Sequence, residues 1–144
     1  MIACDTNLLV YSSRAEVPWH SPALAAVRAL AEGRESWGLP WPCIHEFLAT
    51  VTSPRIFRPP TPMAQALAAV AAWQQAPTAQ MLGETAGYEA ALARAITESR
   101  AVGALVHDAH IAALCQLHGA RELWTADRDF SRFPSLRCRN PLVG

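Results

Sequence analysis

Short apolar segments alternate with longer segments of helical period along the whole chain. Residues 1–5, 37–41, 79–82, 122–125 and 136–140 read as strands. Between them, apolar residues recur at helical spacing: Leu24, Val27 and Leu30; Ile44, Phe47, Leu48 and Val51; Leu67, Val70 and Ala71; and Ile111, Ala112, Leu114 and Cys115. Strands that alternate with helices pair in parallel, because each crossover must carry the chain back to the same end of the sheet. The helices then cover both faces, the crossovers are right-handed, and sites form beyond the carboxyl ends of the strands. A length of 144 residues suits one such domain, residues 1–144, without a second.

Punctuation supports this order. Ser21-Pro22 and Thr61-Pro62 have the cap-plus-proline form of helix starts, and Gly33 and Gly119 stand where helices stop. Residues 53–62 hold four prolines and read as a loop inside the domain. Asp108 reads as the opening residue of a helix, and the last strand ends at Pro141.

The acids occupy telling positions. The chain has only four aspartates, Asp5, Asp108, Asp127 and Asp129, and all fall at predicted element boundaries. Glu46 lies early in its helix. Each has a plainer reading: Asp5 and Asp108 as helix caps, Asp127-Arg128-Asp129 as a solvated turn, Glu46 as a surface glutamate. Gathered at one end of a sheet, they form a cluster for a hard cation, Mg²⁺ or Mn²⁺, which prefers carboxylate oxygens. Without a cation, their repulsion raises some of their pKa values. Thr6, Asn7 and Thr125 offer neutral hydrogen-bonding groups beside them.

Other chemistries are excluded. All twelve basic residues are arginine, so no Schiff-base, lysine-base or Walker-type mechanism is available. Cys4, Cys43, Cys115 and Cys138 form no CxxC and read as reduced core residues. His107 and His110 flank Asp108, but hard-cation sites rarely use imidazole, so packing or substrate contact is their expected role. The first residues lack a signal peptide's basic region and no apolar run suits a membrane, so a cytoplasmic location is expected.

The net charge is zero, which advertises no nucleic acid. A local patch is enough, however. Arg14, Arg55, Arg128 and Arg132 are the RNA-facing candidates, with Arg58, Arg137 and Arg139 behind them. Arg55 and Arg58 flank Ile56-Phe57, a basic–aromatic pairing suited to bases. These arginines can equally solvate the surface or pair with glutamates.

Taken in order, Asp5-Thr6-Asn7-Leu8-Leu9, Glu46 within His45-Glu46-Phe47-Leu48, His107-Asp108-Ala109-His110-Ile111-Ala112-Ala113 and Trp124-Thr125-Ala126-Asp127-Arg128-Asp129-Phe130 resemble a PIN-domain ribonuclease toxin of the VapC family, from type II toxin–antitoxin systems. The resemblance covers nearly the whole chain. It implies a three-layer α/β fold with a mostly parallel central sheet. It also implies a Mg²⁺- or Mn²⁺-dependent endoribonuclease that cleaves RNA with metal-activated water. By position it makes Asp5, Glu46, Asp108 and Asp127 the catalytic acids, with Asp5, Asp108 and Asp127 toward metal and Asp129 behind Asp127. The implied partners are a small VapB-like antitoxin and a second copy of the chain, the latter through residues 44–51 and 64–73; no membrane is involved. Three alternatives remain: a nuclease acting on other nucleic acid, a non-catalytic antitoxin- or RNA-binding module, and a signalling receiver domain. The last requires paired early acids and a late lysine, which this chain lacks.

Overall fold

A computed structural model describes residues 1–144. Five strands form one parallel sheet: β1 (Ile2–Cys4), β2 (Trp37–Pro40), β3 (Ala79–Leu82), β4 (Glu122–Trp124) and β5 (Cys138–Arg139). Six α-helices surround it: α1 (Thr6–Ser13), α2 (His20–Glu32), α3 (Trp41–Val51), α4 (Met63–Gln74), α5 (Tyr88–Ser99) and α6 (Leu105–Leu117). A 3₁₀ turn spans Arg128–Arg132. The spatial order is β3-β2-β1-β4-β5, and every pairing is parallel.

That order reverses between β1 and β4. From β1 the chain moves outward to β2 and β3, then returns to place β4 on the other side. Neighbouring connections leave toward opposite faces there and open a crevice beyond the strand ends. Asp5 directly follows β1, and Thr125 directly follows β4. The topology alone therefore brings two distant segments to one spot.

Strand alternation sorts the core into two layers. Ile2 and Cys4 face one side with Trp37 and Leu39, against Leu8, Leu9, Ile44 and Phe47 of α1 and α3. Ala3, Leu82 and Leu123 face the other side, against α5, α6 and the 3₁₀ turn. In this second layer the α5–α6 contact is made largely by alanines: Ala91, Ala95, Ala109, Ala112 and Ala113 are all fully buried. Small side chains let the two helix backbones approach closely.

Several boundaries differ from the sequence expectation. α2 starts at His20 with no side-chain cap, so Ser21-Pro22 lies inside its first turn. α4 starts at Met63, and Thr61 instead accepts a hydrogen bond from Arg14 (3.0 Å). α6 starts at Leu105, so Asp108 lies in its first turn rather than opening it. Gly103, at φ 59°, turns the chain early, and the bonds from Val106 N to Gly103 O and from His107 N to Ala104 O begin the helix there. β5 is shorter than residues 136–140, and Cys138 is exposed on it rather than packed in the core.

α6 ends as expected. Gly119 has φ 72°, and the bonds from Ala120 N to Cys115 O and from Gly119 N to Gln116 O close the helix. α5 ends the same way on a residue with a side chain: Arg100 at φ 56°. A left-handed arginine is strained against Cβ, a strain that glycine lacks. Arg100→Gly is expected to stabilise the fold by about 0.5–1 kcal/mol, read from urea unfolding midpoints at constant m-value.

Candidate metal centre

Asp5 is 4% exposed, and both oxygens of its carboxylate accept hydrogen bonds. Oδ1 accepts from the Thr6 backbone N–H (2.7 Å), and the Cys43 thiol lies 3.6 Å from the same oxygen. Oδ2 accepts from the Thr125 hydroxyl (2.6 Å) and from Asn7 Nδ2 (3.0 Å). Asp5 is therefore the N-cap of α1, as its plainer reading holds, and capping is what fixes the carboxylate in place. No basic group takes part. Burial pushes the Asp5 carboxyl up, while bonds from Thr125, Thr6 and Cys43 pull it down and the charge of Glu46 raises it further.

Thr125 is the hub between the two strands. Its hydroxyl donates to Asp5 and accepts from the Asp127 backbone N–H (2.9 Å). Asn7 completes the link, since its Oδ1 accepts from Ala126 N (3.0 Å). Thr6 reaches the other way, donating from Oγ1 to Glu46 Oε2 (3.0 Å). Asp127 in turn caps the 3₁₀ turn by accepting from Asp129 N (2.9 Å).

Asp5, Glu46, Asp108 and Asp127 line one cleft of about 250 Å³, together with Thr6, Asn7, Tyr11 and Thr50. They come from the end of β1, from α3, from α6 and from the segment after β4. The lining contains no arginine or histidine. At its rim, carboxylate oxygens of Asp108, Asp127 and Asp129 all lie within 4.8 Å of one another. Asp129 thus joins the acidic group without lining the cleft. Burial, followed by the charges of Asp127, Asp5, Asp129 and Glu46, raises the Asp108 carboxyl to about 6. A set made only of carboxylate oxygens, close enough to raise the carboxyl of one of them further after burial, suits a hard divalent cation.

The arginines divide. Arg14 is bound into the fold: it donates to Thr61 and to Pro59 O (2.9 Å), pairs with Glu16, and stacks over Phe57 at 4.4 Å. It pins the proline-rich loop to α1. Arg55 is exposed on that loop, and Arg128 and Arg132 are exposed on the 3₁₀ turn. Among the histidines, His110 binds Glu84 (2.8 Å) and His118 binds Gly83 O (2.7 Å), while His107 is exposed. Cys43 was missed by sequence reasoning. The available signal was its position three residues before Glu46, which puts both on one face of α3.

The architecture is that of a parallel α/β nuclease-type domain with an acidic crevice at the sheet's switch point. A family model described as the PIN domain matches residues 2–136. Ribonuclease VapC43 of Mycobacterium tuberculosis is 36% identical over 144 residues, covering 100% of this chain and 97% of the relative. Ribonuclease VapC48 of the same organism is 30% identical over 140 residues, covering 97% of each. Among solved structures, VapBC2 from Rickettsia felis, bound to promoter DNA, superposes with a TM-score of 0.70 at 18% identity, covering 97% of this chain and 98% of that one. The M. tuberculosis VapC20 toxin gives 0.64 at 20% identity, covering 91% and 93%. This chain belongs to the PIN-domain family and, within it, to the VapC ribonucleases.

The raised Asp108 carboxyl has a thermodynamic consequence. In the unfolded chain it ionises near 3.8, and in the fold at about 6. Between those values the folded state binds more protons, so the metal-free protein loses stability as pH rises from about 4 to 6. Asp108→Asn removes this loss. In EDTA at pH 7 the variant is expected to exceed wild type by about 1 kcal/mol, after allowing for solvent screening of a half-exposed group. Urea melts at pH 4.0 and 7.0 (about the two ends of the window) read the difference.

Proposed function

We propose that this endoribonuclease, the toxin member of a toxin–antitoxin pair, cleaves RNA at the crevice where Asp5, Glu46, Asp108 and Asp127 meet. One observation carries the reading: four acids from four separate elements line a single cleft of about 250 Å³ that has no basic side chain in its lining. A charge excess of this kind is costly unless a cation shares it.

Asp5, Asp108 and Asp127 are the residues that would hold Mg²⁺ or Mn²⁺, with Asp129 in reach at the rim. When bound, such an ion supplies Lewis acidity and a site for water beside a phosphodiester. The chain's own residues do the positioning. Thr125, Asn7 and the Thr6 backbone hold Asp5 rigid, so its carboxylate does not reorganise. Thr6 fixes Oε2 of Glu46, leaving Oε1 to accept a proton from the attacking water. Arg128, Arg132 and Arg55 remain exposed for phosphate contact, and Arg14 supports the loop that carries Arg55.

A small VapB-like antitoxin is the natural inhibitor. The structural neighbours include VapBC2 from R. felis and FitAB bound to DNA, at TM-scores of 0.70 and 0.66. No helix of this chain is long and apolar enough to cross a membrane. The RNA it would cut places its action in the cytoplasm. A homodimer through α3 and α4 is the second assembly. α4, Met-Ala-Gln-Ala-Leu-Ala-Ala-Val-Ala-Ala-Trp-Gln, carries no charge, and Met63 and Leu67 are 49% and 51% exposed on it. A helix apolar all round is ordinarily covered.

Two measurements check these readings. Purified wild type with Mg²⁺ is expected to cut cellular RNA, and Asp5→Asn and Asp108→Asn to lose at least about 10²-fold in rate. Mg²⁺ should raise the melting temperature of wild type but not of Asp108→Asn. Cleavage by both variants at the wild-type rate removes the proposed site. Sedimentation should show a dimer for wild type and a monomer for Leu67→Glu; a monomeric wild type at high concentration removes the α3–α4 interface.

A further inference from the structure

Beside the acidic cleft lies a second hollow of about 450 Å³, on the β4–β5 side of the sheet. Thr125, Asp127, Arg128, Ser131, Arg139 and Asn140 contribute to its lining. Asp127 lines both hollows, so they adjoin at that residue. The two differ in charge. The first holds four acids and no base, whereas the second holds Arg128 and Arg139 against the shared Asp127 alone.

Neither guanidinium is neutralised within the protein. Arg128 and Arg139 form no ion pair. Glu122 is the acid on the adjoining strand, and it is already taken. It accepts from Trp124 Nε1 (2.6 Å) and lies 3.7 Å from Arg137. Arg139 instead sits over the Trp124 ring, its Cζ 5.3 Å from the centroid. Stacking on an aromatic face orients a guanidinium while leaving its N–H fork free for an anion. Arg132 does not join them, because it lies with Arg100 and Asp129 around a different hollow.

We propose that this hollow is a nucleotide subsite, in which Arg128 and Arg139 bind an RNA phosphate neighbouring the scissile one. The proposal rests on the ribonuclease reading above. An anionic chain crossing a cleft of four carboxylates needs a cationic hold close by. A hollow that adjoins the cleft at Asp127 and presents two unpaired arginines provides it. Ser131 and Asn140 add neutral polar groups for the sugar or base. The subsite acts on substrate binding and register, and the acids act on the bond.

The test uses binding and cleavage separately. A labelled single-stranded oligoribonucleotide is titrated by anisotropy against the Asp108→Asn protein, with and without Arg139→Ala or Arg128→Ala. Each arginine substitution is expected to weaken binding roughly tenfold and to flatten the slope of log K against log[salt] by about 0.7. In cleavage by otherwise wild-type protein, KM rises more than kcat falls. One neutral methylphosphonate next to the scissile bond mimics the loss in wild type and adds nothing in Arg139→Ala. Arg28→Ala, on α2, is the control for bulk charge, and unchanged melting temperatures exclude misfolding.

An Arg139→Ala protein with wild-type RNA affinity and salt slope overturns the subsite while leaving the nuclease reading intact. The subsite is likewise overturned if Arg28→Ala costs as much, or if Arg139→Ala loses affinity for polyglutamate but not for RNA. If the arginine effects on binding appear but wild type cuts no RNA, the hollow is an RNA-binding site, and its place beside a scissile phosphate is overturned together with the nuclease reading.

Discussion

The hydroxyl of Thr125 holds the molecule's working end together. It gives its proton to Asp5 Oδ2 at 2.6 Å and takes one from the Asp127 amide. It therefore joins the ends of two strands that are adjacent in space and 120 residues apart in sequence. A buried carboxylate with no cationic partner would be expensive to keep. Here Thr125, Asn7 and the Thr6 amide disperse its charge through neutral dipoles. Charge compensation from outside the protein therefore has to come from whatever enters the crevice. The arrangement of α3, α6 and the 3₁₀ turn around that point decides which other carboxylates share the demand.

Net charge conceals this arrangement. Twelve arginines and twelve acids sum to zero, yet around the crevice the signs are segregated. Five acids gather around the switch point, and Arg128 and Arg139 line the adjoining hollow rather than their cleft. Neighbouring fields of opposite sign leave little trace far from the protein and a strong one at contact distance. The crevice thus presents a negative hollow beside a positive one rather than a uniformly basic groove.

Much of this was legible in the sequence. Alternating strand and helix patterns specified a parallel sheet, and the rarity of aspartate directed attention to four positions. All four, with Glu46, come together. Boundaries were less legible, because local capping signals compete with tertiary contacts. Thr61 reads as a helix cap but is used by Arg14, and Asp108 reads as a cap but lies inside a helix that begins just after Gly103. The roles of the arginines were least legible. Arg14 and Arg128 are the same residue type near charged neighbours, yet one is stacked and bonded into a loop and the other is unpaired. Only the long-range contacts of Arg14 with Phe57, Pro59 and Thr61 separate them, and no local pattern encodes those.

The alanine-filled contact between α5 and α6 has its own consequence. Asp108 rides on α6, whose Ala109, Ala112 and Ala113 are buried in one cluster with Ala91 and Ala95 of α5. Interfaces built from large side chains can absorb an altered neighbour by changing rotamer, but alanine has no rotamer to change. An added methyl group in this seam is answered by translation of the helix as a whole, and the carboxylate travels with it. The position of a chemically decisive group is thereby entrusted to the least reactive residues in the chain, and tolerance to mutation there is governed by lever-arm geometry rather than by hydrophobicity.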